Sequence, residues 1–488
     1  MKKNLLLVLT LIMIAQLGFS QTPCKEIVGY YPNWQWYDRN KLVKPQSIDY
    51  SKYTIINYCF MKPESDGTIS LTDAWADEQL LYGENDWVNG GYLPNTSLIE
   101  LSHNNGVKVL PSIGGWTLSD NFPGIAADPT KRATFAQACV NLIQTYNFDG
   151  IDLDWEYPGY AAHSGTPQDK ANFNLLLQEV RTAIDNYGQN IGQTMLLTAA
   201  VGAAEDRMLN VDWPVVSQYL DIINLMSYDF FGAFDSHTNH NAPLYQPSQG
   251  TPEFNLDSAV TRLTTKFGVD PNQITVGVAF YGRSSKTVGP AGLFVPTTGS
   301  AHHATFSLDG GSPTYFNILD KMSLFTQNWD SQARVPYLTG NGTLQTFVSY
   351  DDEQSIGEKA QYIVDHNLRG AIIWEITGDY IETAPNSGII SGTPLVDTLN
   401  SIFCVVAGNT TWDCVGNDCV DPGTGTGMYP NQAACNAACV VSVIQEHSTS
   451  KVLLKVTDIL GKETKGAKNE ILFYIYDDGS VEKKIIFE

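Results

Sequence analysis

The sequence predicts an α/β fold dominated by a (β/α)8 TIM barrel. Three observations carry this: eight short apolar runs between Lys25 and Phe403, amphipathic stretches between them, and a length of 488 residues, enough for one large domain with small appendages. In chain order the candidate strands are "KEIVGYYPNW", "YTIINYCF", "VKVLPSIGG", "FDGIDLDWEY", "MLLTAAVGA", "YLDIINLMSYDF", "ITVGVAFYG" and "GAIIWEIT". Helices are predicted in "PTKRATFAQACVNLIQTYN", "KANFNLLLQEVRTAIDNYG", "LDSAVTRLTTKFG" and "EQSIGEKAQYIVDHN", where apolar residues keep a helical period. This count fits the length better than a doubly wound sheet. It also places chemistry at the C-terminal ends of the strands.

The flanking segments follow from composition. Residues 1–21 place Lys2 and Lys3 before an apolar run too short for a membrane anchor, the form of a secretory signal peptide. Export permits disulfides. The barrel is assigned to residues 22–404, with a long Gly-, Thr- and Pro-rich interruption at about 284–346. Residues 405–440 hold Cys414, Cys419, Cys435 and Cys439, whose spacing without a nearby His favours disulfides over zinc. Residues 441–488 alternate apolar and charged positions around a "DDGS" turn, predicting a small β unit. Cys24 opens the first strand at the bottom of the barrel, and the helix in "GTPLVDTLNSIFC" returns there. Cys24 and Cys404 are therefore expected to pair, with Cys59 and Cys139 as buried thiols.

Charge narrows the partners. With 52 acidic against 29 basic residues, the net charge of −23 repels nucleic acid and anionic membrane. A monomer with no membrane anchor in its mature form is expected, and no motif suggests a cofactor or metal.

The fourth strand carries the chemical signal. In "FDGIDLDWEYPG" side chains alternate faces, so Asp152, Asp154 and Glu156 line the barrel interior while Ile151, Leu153 and Trp155 face the helices. Neighbouring carboxylates raise one another's pKa, so the row retains a proton. Glu156, at the mouth, is placed to deliver it.

"DGIDLDWE" matches the D-G-x-D-x-D-x-E signature of glycoside hydrolase family 18, the chitinases, and "GYYPNW", "INYCF", "SIGGW", "LMSYD", "AFYGR" and "IIWE" resemble further family segments in order. The resemblance spans roughly residues 25–403. It implies a chitinase in which Glu156 is the general acid/base, Asp154 orients the substrate acetamide, and Asp152 holds a spare proton. Tyr228 and Asp229 would contact the same sugar above Met226, and Trp374 would floor its subsite. Tyr30, Phe60 and Trp116 match other wall positions. An α+β insertion after the seventh strand is implied, with Tyr281 and Arg283 at its root contacting substrate. The substrate implied is chitin and its oligosaccharides. Two rivals share the fold: a chitin-binding lectin, which typically lacks the acid, and an endo-β-N-acetylglucosaminidase acting on glycoprotein glycans. The last segment, particularly "VTDILGKET" and "YIYDDGSVEKK", resembles the C-terminal sorting tails of type IX secretion cargo, which implies an encounter with outer-membrane secretion machinery and a secreted or cell-surface location.

Overall fold

The computed structural model describes residues 24–404, apart from 302, 307 and 308, together with short stretches between residues 413 and 485. Eight parallel strands close into a barrel: β1 (Glu26–Pro32), β2 (Ile55–Pro63), β3 (Lys108–Gly114), β4 (Gly150–Asp154), β5 (Leu196–Gly202), β6 (Ile222–Met226), β7 (Ile274–Ala279) and β8 (Gly370–Trp374). Each pairs with its sequence neighbour, and β1 closes the cylinder on β8.

Alternation along the strands produces two apolar layers. Ile27, Tyr31, Ile56, Val109, Ile113, Ile151, Leu153, Leu197, Ile223, Val276 and Ile373 point outward into the core shared with the helices. Val28, Tyr30, Ile55, Leu110, Ala200, Ile222 and Ile372 point inward. On β4 the outward position after the strand belongs to Trp155, which stacks on Phe122 at 5.4 Å and meets Phe173 edge-on at 5.7 Å. Each large apolar side chain buried this way stabilises the fold by about 1.5–3 kcal/mol.

The helices begin and end where their sequences direct. Asp128 caps the helix Pro129–Tyr146 by accepting from the backbone N–H groups of Thr130 and Lys131, and Pro129 occupies its first turn. Helices also span Asp169–Ile191 and Glu353–Asp365. The helix expected over "LDSAVTRLTTKFG" is α-helical only at Leu256–Thr261 and widens to a π turn at Arg262–Lys266. There the Thr264 hydroxyl donates to the Val260 carbonyl at 2.9 Å, a back-bond that competes with the regular ladder.

After β7 the chain builds an antiparallel five-stranded sheet from Arg283 to Ser349, with a short helix at Tyr315–Lys321. The strand Thr346–Ser349 lies beside Arg283–Thr287, so Ser349 faces Arg283 in register. A disulfide joins Cys24 to Cys404, whose Cα atoms are 4.6 Å apart. Cys59 and Cys139 are buried free thiols.

Residues 406–488 form a second compact unit. Its described parts are a hairpin of Asp413–Val415 with Asp418–Val420, which sets Cys414 opposite Cys419, and a three-stranded antiparallel sheet of Leu453–Thr457, Ile471–Tyr476 and Val481–Ile485. Cys419 is disulfide-bonded. Cys435, Cys439 and the segment 1–21 lie outside the described residues. Among the described residues no helix is long and apolar enough to cross a membrane.

Candidate active site

The floor of the site is a polar layer built by strand register. Asp152 on β4 stands level with Ser112 on β3 and Thr198 on β5. Its carboxyl accepts from Tyr30 Oη at 2.9 Å, Ser112 Oγ at 2.7 Å, Asn224 Nδ2 at 3.0 Å and the Thr198 hydroxyl. Thr275 in turn donates to Asn224 Oδ1 at 2.7 Å. Burial raises the Asp152 pKa even though these donors act in the opposite direction.

Two residues higher, the environment changes. Asp154 is buried, yet its Oδ1 finds no partner among the described residues. Its pKa is raised well above the usual range, first by burial and then by Glu156 and Asp152. Glu156 is half-buried at the mouth, and burial, reinforced by Asp229, pushes its carboxyl up to about 7. Its backbone is fixed on both sides: the N–H donates to Ser119 Oγ at 2.9 Å, and the carbonyl lies 2.7 Å from His163 Nδ1. Among the described residues no lysine or arginine is bonded to Asp152, Asp154 or Glu156.

The facing wall comes from the ends of β6 and β7. Tyr228 leans over Gly277, where even a methyl group would come within 2.6 Å of its ring. The Tyr281 ring lies edge-on to it at 6.1 Å. Asp229 accepts from the Tyr281 hydroxyl and from both sides of the Arg283 guanidinium, with Nε at 2.7 Å. One carboxylate on this wall thus meets one cation.

Comparison with known proteins decides the family. Residues 26–379 match the model for "Glycosyl hydrolases family 18". The chain belongs to glycosyl hydrolase family 18. It is 34% identical over 408 residues to Chitinase A1 of Niallia circulans, covering 74% of this chain and 57% of that protein. It is likewise 34% identical over 355 residues to Chitinase 1 of Aphanocladium album, covering 71% of this chain and 80% of the relative. Among solved structures, Ostrinia furnacalis Group IV chitinase in complex with allosamidin superposes with a TM-score of 0.66 at 32% identity, over 78% of this chain and 98% of that one. The chain thus spans little more than half of the first relative and most of the other two.

Aromatic residues divide the family 18 site into two platforms. Phe60 stacks on Trp374 at 5.7 Å, and Trp34, 46% exposed, meets them at 6.0 and 6.4 Å. Gly115 makes room for Phe60, whose ring would lie 2.6 Å from an added Cβ. Trp116 stands apart from this group, 51% exposed, against His163 at 4.5 Å and Tyr160 at 5.9 Å. Tyr30 is no open wall position: it is 2% exposed and spends its hydroxyl on Asp152. Met226, also buried, belongs to the interior apolar cluster. Ser112, Thr198, Asn224 and Trp34 were not singled out in the sequence. The first three had a signal, since each is the one polar residue within a buried apolar run, at an inward-facing position.

Proposed function

We propose that the protein is a secreted chitinase that hydrolyses β-1,4 linkages between N-acetylglucosamine units with retention, the substrate's own acetamide acting as nucleophile. The observation that carries this reading is Glu156: a carboxyl at the mouth of a buried acidic row, held near pH 7 in a form able to give up a proton. The leaving sugar oxygen takes that proton as the glycosidic bond breaks. The acetamide carbonyl oxygen forms the new bond to the anomeric carbon, giving an oxazolinium-like intermediate, as expected of this family. Asp154, with an unpartnered oxygen within the row, accepts from the acetamide N–H and offsets the positive charge. Tyr228 donates to the acetamide oxygen, and Asp229, fixed by Tyr281 and Arg283, binds the same sugar over Met226. Water activated by Glu156 then opens the ring from the side the leaving group vacated, restoring the original anomeric configuration.

The Trp374, Phe60 and Trp34 cluster supplies apolar ring faces for one stretch of the polymer, and Trp116 supplies one for the other. Glu156 argues against a lectin. Release of chitobiose from colloidal chitin, set against release of glycans from a glycoprotein, tests the assignment; glycan release without chitobiose would overturn it. The charged N-terminus before an apolar run, and the likeness of residues 441–488 to type IX sorting tails, support export through the periplasm and a secreted or cell-surface location. Mass spectrometry of culture medium, reading both termini of the mature protein, checks this.

A further inference from the structure

Asp229 adopts a left-handed backbone conformation, with φ of 59°, that residues other than glycine seldom take. Such a residue keeps its side chain on target only if its surroundings hold the backbone in place. The hold comes from a loop twelve residues on. Asn241 Oδ1 accepts the Asp229 N–H at 2.9 Å, and the Asn241 carbonyl accepts the Phe230 N–H at 3.0 Å. The Asn241 N–H donates in turn to Ser349 Oγ at 2.8 Å. Asn241 and Ser349 are each 1% exposed. Ser349 ends the last strand of the insertion and stands in register with Arg283, whose guanidinium returns to Asp229. The contacts form a closed circuit: Asp229, Asn241, Ser349, Arg283, Asp229.

We propose that Asn241 is a positioning residue for Asp229, and that through Ser349 the insertion sets the facing wall of the active site. This rests on the reading of Glu156 as the acid. A loop whose backbone merely needed satisfying could use a water or any carbonyl. Here one residue, its backbone N–H anchored to the inserted sheet, takes both consecutive N–H groups, that of Asp229 on its side-chain oxygen and that of Phe230 on its carbonyl, and the side-chain bond is the one that aims the Asp229 carboxylate.

The readout is the proton on Glu156, which a merely structural role would leave alone. Glu156 is surrounded by Asp154 of β4, with Asp152 below it, by Tyr157 beyond it, by Tyr228 and Asp229 from the end of β6, and by His163 at its carbonyl, while Tyr281 and Arg283, which follow β7, bond to Asp229. Loosening Asp229 removes part of the negative field that favours the protonated form. Asn241→Ala is expected to lower kcat about tenfold with KM changed less than about twofold. The alkaline limb of kcat/KM should fall by about half a unit, the direction Asp229→Asn gives in full. Ser349→Ala should give a smaller shift of the same sign and Ser349→Thr, which keeps the hydroxyl, should restore the limb. The Glu156 carboxyl is also titrated directly by 13C NMR of glutamate-labelled protein, with Glu156→Gln as the assignment control. That titration needs no turnover, so it tests the clamp even if the wild type fails to cleave chitin oligosaccharides, a result that would remove the proposed function alone. A lowered melting temperature in Asn241→Ala or Ser349→Ala with an unmoved Glu156 titration would overturn the proposal. If Asn241→Ala does not fold, the Ser349 pair decides on the same criteria.

Discussion

The two walls of the barrel mouth handle negative charge in opposite ways. On the β4 side Asp152, Asp154 and Glu156 stand in a row with no bonded cation among the described residues, and burial drives all three towards the protonated form. On the β6 and β7 side Asp229 is matched by the Arg283 guanidinium and the Tyr281 hydroxyl. The same residue type is thus used on one wall to store a proton and on the other to hold a fixed charge. What separates the two uses is whether a cation stands within bonding distance.

Removing the stored proton at the mouth has the largest expected effect. Glu156→Gln should lower chitin hydrolysis by about 10²–10⁴ while leaving folding and oligosaccharide binding intact, as measured by turnover beside calorimetric binding. Turnover near the wild-type level would dissolve the contrast between the walls. The pH profile tests the same wall without mutation. The acid acts only when protonated, so kcat/KM should hold below the Glu156 value of about 7 and fall about tenfold per unit above it. Stability has the same sign: a carboxyl whose pKa is raised from 4.5 contributes stability present below that value and lost as pH rises through about 7. Thermal melts from pH 4 to pH 9 should show it as a midpoint that falls more steeply in the wild type than in Glu156→Gln.

Taking the cation from the opposite wall sharpens the comparison. Arg283→Met leaves Asp229 unmatched and makes the mouth more negative, so the alkaline limb should move up by about half to one unit. A downward movement would mean that Arg283 does not screen Glu156. The smallest effect is expected at the floor, where Asp152 has four donors. Ser112→Ala removes one and should cost about 1 kcal/mol of stability, read by denaturant titration, with kcat reduced less than about tenfold.

The sequence makes one wall far more legible than the other. On β4, alternation alone turns Asp152, Asp154 and Glu156 inward, because a strand offers only two faces. Ser112, Thr198 and Asn224 are harder to see, because their meaning depends on the register of neighbouring strands. The Asp229 wall depends on chain reversal. Asn241 and Ser349 meet Asp229 only because a loop and an inserted sheet fold back on the strand end, and no periodicity encodes that return. The eight strands were readable as apolar runs. The π turn after Thr261 was not, since the apolar pattern of the helix continues unbroken through it.

The link between Cys24 and Cys404 gives the catalytic cylinder the covalent connectivity of a ring. Its two ends sit 4.6 Å apart at the lower rim, opposite the chemistry. A protease trimming the chain beyond residue 404 would leave that ring closed. An engineer could splice the old ends with a short linker, open new ones in an outer loop, and keep the working face undisturbed.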